Sequence, residues 1–96
     1  MKESTLARNA LKYLNSLPRS LFFKYHGNPM ARAGVSDLIG CLGGRFVAIE
    51  LKIGNNKLTP IQQHFLTQMA LAGAVAGVAY DLDDIKNIVE VATVPA

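Results

Sequence analysis

Three charged residues, Asp37, Glu50 and Lys52, interrupt an otherwise apolar, strand-like stretch from Gly34 to Lys52 that reads GVSDLIGCLGGRFVAIELK. The runs Leu38 to Leu42 and Arg45 to Lys52 flank Gly43-Gly44, and a Gly-Gly pair between two such runs predicts a hairpin with a two-residue primed turn. That turn sets the register, so that Leu42 faces Arg45, Leu38 faces Ile49 and Asp37 faces Glu50. Directly opposed side chains in an antiparallel pair have Cβ atoms about 4.5–5.5 Å apart, where like charges destabilise. Lys52 projects from the same face as Glu50, about 6.5–7 Å further along. The spacing leaves a gap beside the two carboxylates that a divalent cation would fill. Mg²⁺ suits such a gap, since it takes oxygen ligands at about 2.0–2.1 Å, often one or two carboxylates with water or phosphate supplying the rest. The plainer alternative is that Asp37 ends a turn and that Glu50 and Lys52 form a solvated face at the end of a sheet. Val47, Ala48, Ile49, Leu51 and Ile53 weigh against it, because they describe a strand apolar on both faces, where charges are seldom tolerated without a partner.

The ordered set Gly34-Val35-Ser36-Asp37, twelve intervening residues, then Glu50-Leu51-Lys52 resembles the PD-(D/E)XK nuclease signature, with Ser36 where Pro is usual. The nearer likeness is to the virus-type replication-repair nuclease (VRR-NUC) domain in its phage-type stand-alone form. That pattern has a first-helix Glu, G-[V/I]-x-D, a short hairpin, E-x-K and a Gln early in the next helix. Glu3, Gly34 to Asp37, Glu50 to Lys52 and Gln62 meet it, over a span from Glu3 to about Tyr80. The resemblance implies an α/β fold with a restriction-endonuclease-like αβββαβ core, its mixed sheet flanked by helices. It also implies a metal-dependent DNA endonuclease, selective for Holliday junctions or other branched DNA and acting as a homodimer. Mg²⁺ or Mn²⁺ would be held by Asp37, Glu50 and the backbone carbonyl of Leu51, with Glu3 completing that site or a second one. Lys52 would orient the attacking water or stabilise the transition state, and Gln62 would position water or phosphate.

Ninety-six residues suit a single domain, 1–96, able to bury somewhat over ~60% of its unfolded surface. Half the residues are hydrophobic and 18% are charged, which favours a folded globule over a disordered chain. The lone Cys41 allows no internal disulfide and points to a reducing cytoplasm, the host cell's if the chain is phage-encoded. Met69 to Tyr80 is too short an apolar run to span a bilayer, which takes about twenty residues, and the charged N-terminus lacks the apolar region of a signal peptide. No membrane partner is expected. Residues 1–58 carry nine Lys or Arg against three acids, a net +6, while the remainder is −3. A basic half containing the candidate site suits a polyanion such as branched or duplex DNA, whose affinity rests largely on Lys and Arg contacts to phosphates. Arg32, Lys57 and Arg45 are the candidate contacts. No His or acid is placed to activate a serine or Cys41 as a covalent nucleophile. Two readings from other classes stand beside the nuclease: a non-catalytic nucleic-acid-binding module and an α/β protein-interaction domain.

The elements that must position these residues follow from periodicity. Leu6, Ala7, Ala10, Leu11, Leu14 and Leu17 recur at helical spacing from Glu3 to Asn15, with Pro18 closing the helix. Glu3 lies on the core-facing stripe; it is either a first-turn acid favoured by the helix dipole or, by resemblance, a site residue. Leu21 to Tyr25 predicts a strand left through His26-Gly27-Asn28-Pro29, and the loop from Met30 to Gly34 brings Arg32 toward Asp37. Cys41 is expected in the core. Gly54 to Lys57 predicts a polar turn over the site. Thr59-Pro60-Ile61-Gln62 predicts a helix start with a capping box, so Gln62 serves the cap or the site, and one amide cannot fully serve both. Ile61, Phe65, Met69 and Ala72 form the expected buried stripe of this helix, ended by Gly73. A strand over Ala74 to Tyr80 follows. Asp81 then caps a last helix bearing Leu82, Ile85, Ile88 and Val89, unless Ile88 to Val94 forms an edge strand. Two sites are needed to cut both strands of a duplex or junction, which gives the homodimer a reason; the apolar face of the first helix and the last segment are its candidate surfaces.

Overall fold

In the computed structural model, which describes residues 1–27, 30 and 32–95, the chain forms seven elements. They are α1 (Glu3–Asn15), β1 (Ser20–Lys24), β2 (Leu38–Leu42), β3 (Arg45–Leu51), α2 (Pro60–Leu71), β4 (Val75–Ala79) and α3 (Leu82–Thr93). This is the expected α/β order. Gly43 and Gly44 sit at φ 59° and 86°, the left-handed pair a primed turn requires. The hairpin they close has the expected register, Leu42 opposite Arg45 and Leu38 opposite Ile49. β1 adds antiparallel to β2, and β4 adds parallel to β3 after the α2 crossover, giving a mixed sheet in the order β1-β2-β3-β4. The segment in question after β4 is helix rather than edge strand, and Asp81 caps it by accepting from the Asp84 amide at 2.8 Å.

The two faces of the sheet are covered unequally. Leu6, Ala7, Ala10 and Leu14 of α1 and Ile85 and Ala92 of α3 join Phe22, Leu38, Leu42, Val47, Ile49 and Leu51 in the main core on one face. On the other face, α2 makes a smaller core of Phe65 and Leu66 against Ala48, flanked by Ile39, Ala76 and Val78. The apolar stripe of α1 is therefore consumed inside the domain rather than left free for a partner copy. Because α2 lies over β4 and the site end of β3, the outer face of β1 has no helix above it; Leu21 and Phe23 are exposed there, and so is Phe46 at the turn end of β3. Cys41 pairs with both Leu21 and Phe46 and is exposed with them, contrary to the expected core position. The reason is topological: Cys41 lies on the face that carries α2 but toward the turn end of β2, beyond the part that α2 covers. The turn expected at Asn28 and Pro29 falls on residues outside the described set.

The middle of the β1 edge is capped by one side chain. Asn15, the last residue of α1, accepts from the Phe22 amide at 2.7 Å and donates to the Phe22 carbonyl at 3.0 Å. It occupies the central outward-facing pair of groups that this edge strand otherwise offers to another chain. Substituting Asn15→Ala leaves both backbone groups unpaired, and we expect a loss of about 1–3 kcal/mol in urea unfolding with concentration-dependent aggregation.

Candidate functional site

The hairpin turn and the candidate site lie at opposite ends of β2 and β3. At the site end, Asp37 immediately precedes β2 and Glu50 is the penultimate residue of β3. Extending the observed register by one pair sets them face to face. The Asp37 carboxylate is oriented by the strand ends: Oδ2 accepts from the Leu51 amide at 2.9 Å, while its backbone carbonyl accepts from the Tyr25 amide at 2.8 Å. One oxygen thus replaces the backbone acceptor that β2 no longer supplies. Gly34, at φ 80°, lets the chain turn into this position against the first turn of α2, where a Cβ would lie 2.7 Å from the Ile61 carbonyl.

Glu50 is 3% exposed, on the face that α2 covers. Gln62 Nε2 donates to its Oε2 at 3.3 Å, and Lys52 Nζ stands 3.8 Å from the same oxygen. Burial pushes the Glu50 carboxyl up to about 8; its hydrogen bond with Asp37 and the Asp37 charge add to that, Lys52 opposes it, and Glu3 contributes a smaller push upward. Desolvation and a like charge act together here, and the lysine does not reverse them. The pair of carboxylates therefore holds a proton at neutral pH, bound where a cation would also be drawn.

The site gathers Asp37, Glu50, Leu51, Lys52 and Gln62. For Gln62 the sequence offers cap or site, with one amide unable to serve both fully; the structure corrects this, because both halves of the amide are engaged. Its Oε1 accepts from the Thr59 amide at 3.0 Å to complete the capping box, which frees Nε2 for Glu50. On α2, Gln62, Phe65, Leu66 and Met69 face the sheet, while Ile61 is 51% exposed and Ala72 is exposed, a correction to the expected Ile61–Phe65–Met69–Ala72 stripe. Glu3 stands half-buried in the first turn of α1, near enough for its charge to bear on Glu50. Among the described residues, no three His, Cys, Asp or Glu converge as a metal-holding group. A cation here would take Asp37, Glu50 and a backbone oxygen and draw its other ligands from water or phosphate, a donor set that suits Mg²⁺.

Arg32 and Lys57 are exposed on the connections before β2 and after β3. Arg45 lies at the turn end, about 16 Å along β3 from Glu50. Its Nη1 donates to the carbonyls of Val91 at 3.4 Å and Val94 at 3.2 Å, closing the C-terminal end of α3, where a cation is favoured. One feature escapes the sequence: Tyr80, just past β4, donates its hydroxyl to the Asn56 carbonyl at 2.7 Å. Its sequence signal is weak, because a parallel pairing through a helical crossover carries no turn to set the register.

No family model matches the chain, and the comparison with curated proteins finds no relative. Among solved structures, the chain is similar to one titled "VRR_NUC domain", with a TM-score of 0.76 and 23% identity over 92% of this chain and 94% of that one. A second, titled "VRR_NUC domain protein", gives a TM-score of 0.72 and 20% identity over 94% and 86%. At these identities the likeness is one of fold: the chain has the architecture of these VRR_NUC domains.

The raised Glu50 carboxyl has a sign. Between the pH at which an unfolded Glu titrates, near ~4.3, and about 8, the folded chain keeps a proton that the unfolded chain has lost. Stability without metal therefore falls as pH rises through that window and levels off above it. Thermal unfolding in EDTA from pH 5 to 9 should show this decline, and Glu50→Gln should flatten it and raise the melting temperature at pH 8.

Proposed function

We propose that this chain is a metal-dependent nuclease that hydrolyses DNA phosphodiesters. What carries the reading is Glu50, a nearly fully buried carboxylate set against Asp37 with Lys52 and Gln62 on the same oxygen. Asp37, Glu50 and the backbone carbonyl of Leu51 would hold Mg²⁺ or Mn²⁺, with Glu3 acting on that site through its charge or through a further water. When bound, the cation supplies charge neutralisation at the scissile phosphate and lowers the pKa of a water. The Leu51 amide fixes Asp37 in place, and Gln62 fixes Glu50. Lys52 carries the positive charge that a phosphate oxygen or the attacking water would meet. Arg32 and Lys57 flank this end and suit the phosphate backbone. Arg45 belongs to the opposite end, and its engagement with α3 leaves it a lesser candidate.

The fold likeness supports the nuclease class. The basic half of the chain supports DNA as partner. Selectivity for Holliday junctions or other branched DNA, and action as a homodimer, extend the reading. One domain of this size places one site on one phosphate, so cutting both strands needs two copies. A second reading, a non-catalytic nucleic-acid-binding module, draws on the Asp37–Leu51 hydrogen bond and the Glu50–Lys52 pair, which satisfy the acids within the chain.

Cleavage of four-way, nicked and linear DNA separates them. The nuclease cuts with Mg²⁺ or Mn²⁺, is silent in EDTA, and loses at least ~100-fold with Asp37→Ala or Lys52→Ala, the scale of removing one electrostatic stabiliser. Activity that survives EDTA or both substitutions refutes it, and the binding module predicts DNA affinity indifferent to Mg²⁺ and to Asp37→Ala. Sedimentation should show a dimer at micromolar concentration with DNA present; a monomer throughout counts against the paired-site reading.

A further inference from the structure

The loop between β3 and α2 begins and ends inside the candidate site. Lys52 at its start pairs with Glu50, and Gln62 beyond its far end donates to the same carboxylate. Its middle, from Gly54 to Lys57, is exposed and joins neither core, although Ile53 and Leu58 on either side pack partly against them. Burial therefore does not fix this stretch. Asn56 has a local bond, its amide donating to the Ile53 carbonyl at 3.1 Å. The long-range tie is the Tyr80 hydroxyl, which donates to the Asn56 carbonyl at 2.7 Å across 24 positions of sequence.

Tyr80 is itself held. Its amide donates to Asp84 Oδ2 at 2.9 Å, in the first turn of α3. One residue earlier, the Ala79 carbonyl accepts from the Lys52 amide at 3.0 Å. The end of β4 thus fixes both the backbone of Lys52 and the loop that follows it. Lys57 comes directly after the tethered Asn56, is exposed, and forms no salt bridge among the described residues. Its charge is available to an anion, and holding its backbone at folding reduces the ordering it must undergo on binding.

We propose that Tyr80 is a positioning residue: its hydroxyl holds the 54–57 loop so that Lys57 meets the phosphate backbone of nucleic acid at the Asp37–Glu50 site. This rests on the nuclease reading. Tyr80 touches no reacting atom; it acts through Asn56 and Lys57.

Tyr80→Phe removes the hydroxyl and keeps the ring. Without DNA, amide hydrogen exchange at residues 55–58 should quicken severalfold while the core is unchanged. On a four-way DNA junction in EDTA, Kd should rise about threefold to tenfold, the range of one lost hydrogen bond. The log–log salt slope should become shallower by about 0.9, one phosphate contact. With Mg²⁺, KM should rise while kcat stays within about twofold, a split that general destabilisation would not give. Adding Lys57→Ala to Tyr80→Phe should cost little more than either alone. Unchanged exchange, unchanged Kd and slope, or losses that simply multiply would each overturn the proposal. A wild-type chain that neither binds nor cuts DNA fails the nuclease reading and the proposal with it. An active wild type with an indifferent Tyr80→Phe fails the proposal alone.

Discussion

Two carboxylates facing each other across the open end of a hairpin set the terms for the rest of this structure. Asp37 and Glu50 are opposed by the register that Gly43-Gly44 dictates, and Glu50 is buried as well. Like charges at that separation repel, and the interior around them screens poorly. The chain does not relieve the conflict by moving either acid out to solvent. It surrounds them with groups that accept the geometry: the Leu51 amide on Asp37, the Gln62 amide and the Lys52 ammonium on Glu50. The end of β3 and the start of α2 are both tied to that arrangement.

The rotation of α2 shows it most directly. An Ile61–Phe65–Met69–Ala72 stripe would turn Ile61 inward and carry Gln62 away from Glu50. Instead the Gln62 carbonyl closes the cap and its amino group reaches Glu50, leaving Ile61 outside. Gly34 completes the fit, since no Cβ is tolerated where the Asp37 segment passes the Ile61 carbonyl. β4 then enters parallel to β3, and its last residue takes the Lys52 amide.

Much of this is legible in the residues, for identifiable reasons. A two-residue Gly-Gly turn permits few registers, so the hairpin and the Asp37–Glu50 opposition can be read from spacing. The caps at Thr59 and Asp81 are equally local. What resists reading depends on which element covers which face. Cys41 and Phe23 look like core by composition, and they are exposed because α2 lies over β3 and β4 only. Ile61 misleads because α2 has apolar residues on more than one side, and the stripe it buries is Phe65, Leu66 and Met69, on the side that also carries Gln62. Arg45 reads as a free basic residue until the end of α3 is known to lie beside it. Asn15 and Tyr80 make their bonds across 7 and 24 positions of sequence, distances over which no motif operates.

The sign of the Glu50 shift separates two kinds of buried acid. A glutamate retained for a structural ion pair is one whose partner outweighs desolvation, and its carboxyl is drawn below the ordinary range. Lys52 stands 3.8 Å away and pulls in that direction, yet burial and Asp37 outweigh it, and the carboxyl rises to about 8. The lysine is thus too little charge, too far off, to settle the two acids by itself. A chain selected only for stability would gain by replacing Glu50 with a residue that keeps the Gln62 contact without the charge. Retaining a poorly compensated acid against a second one is what the proposed cation-dependent phosphodiester site would call for, since a cation bound between them would supply the positive charge that Lys52 does not.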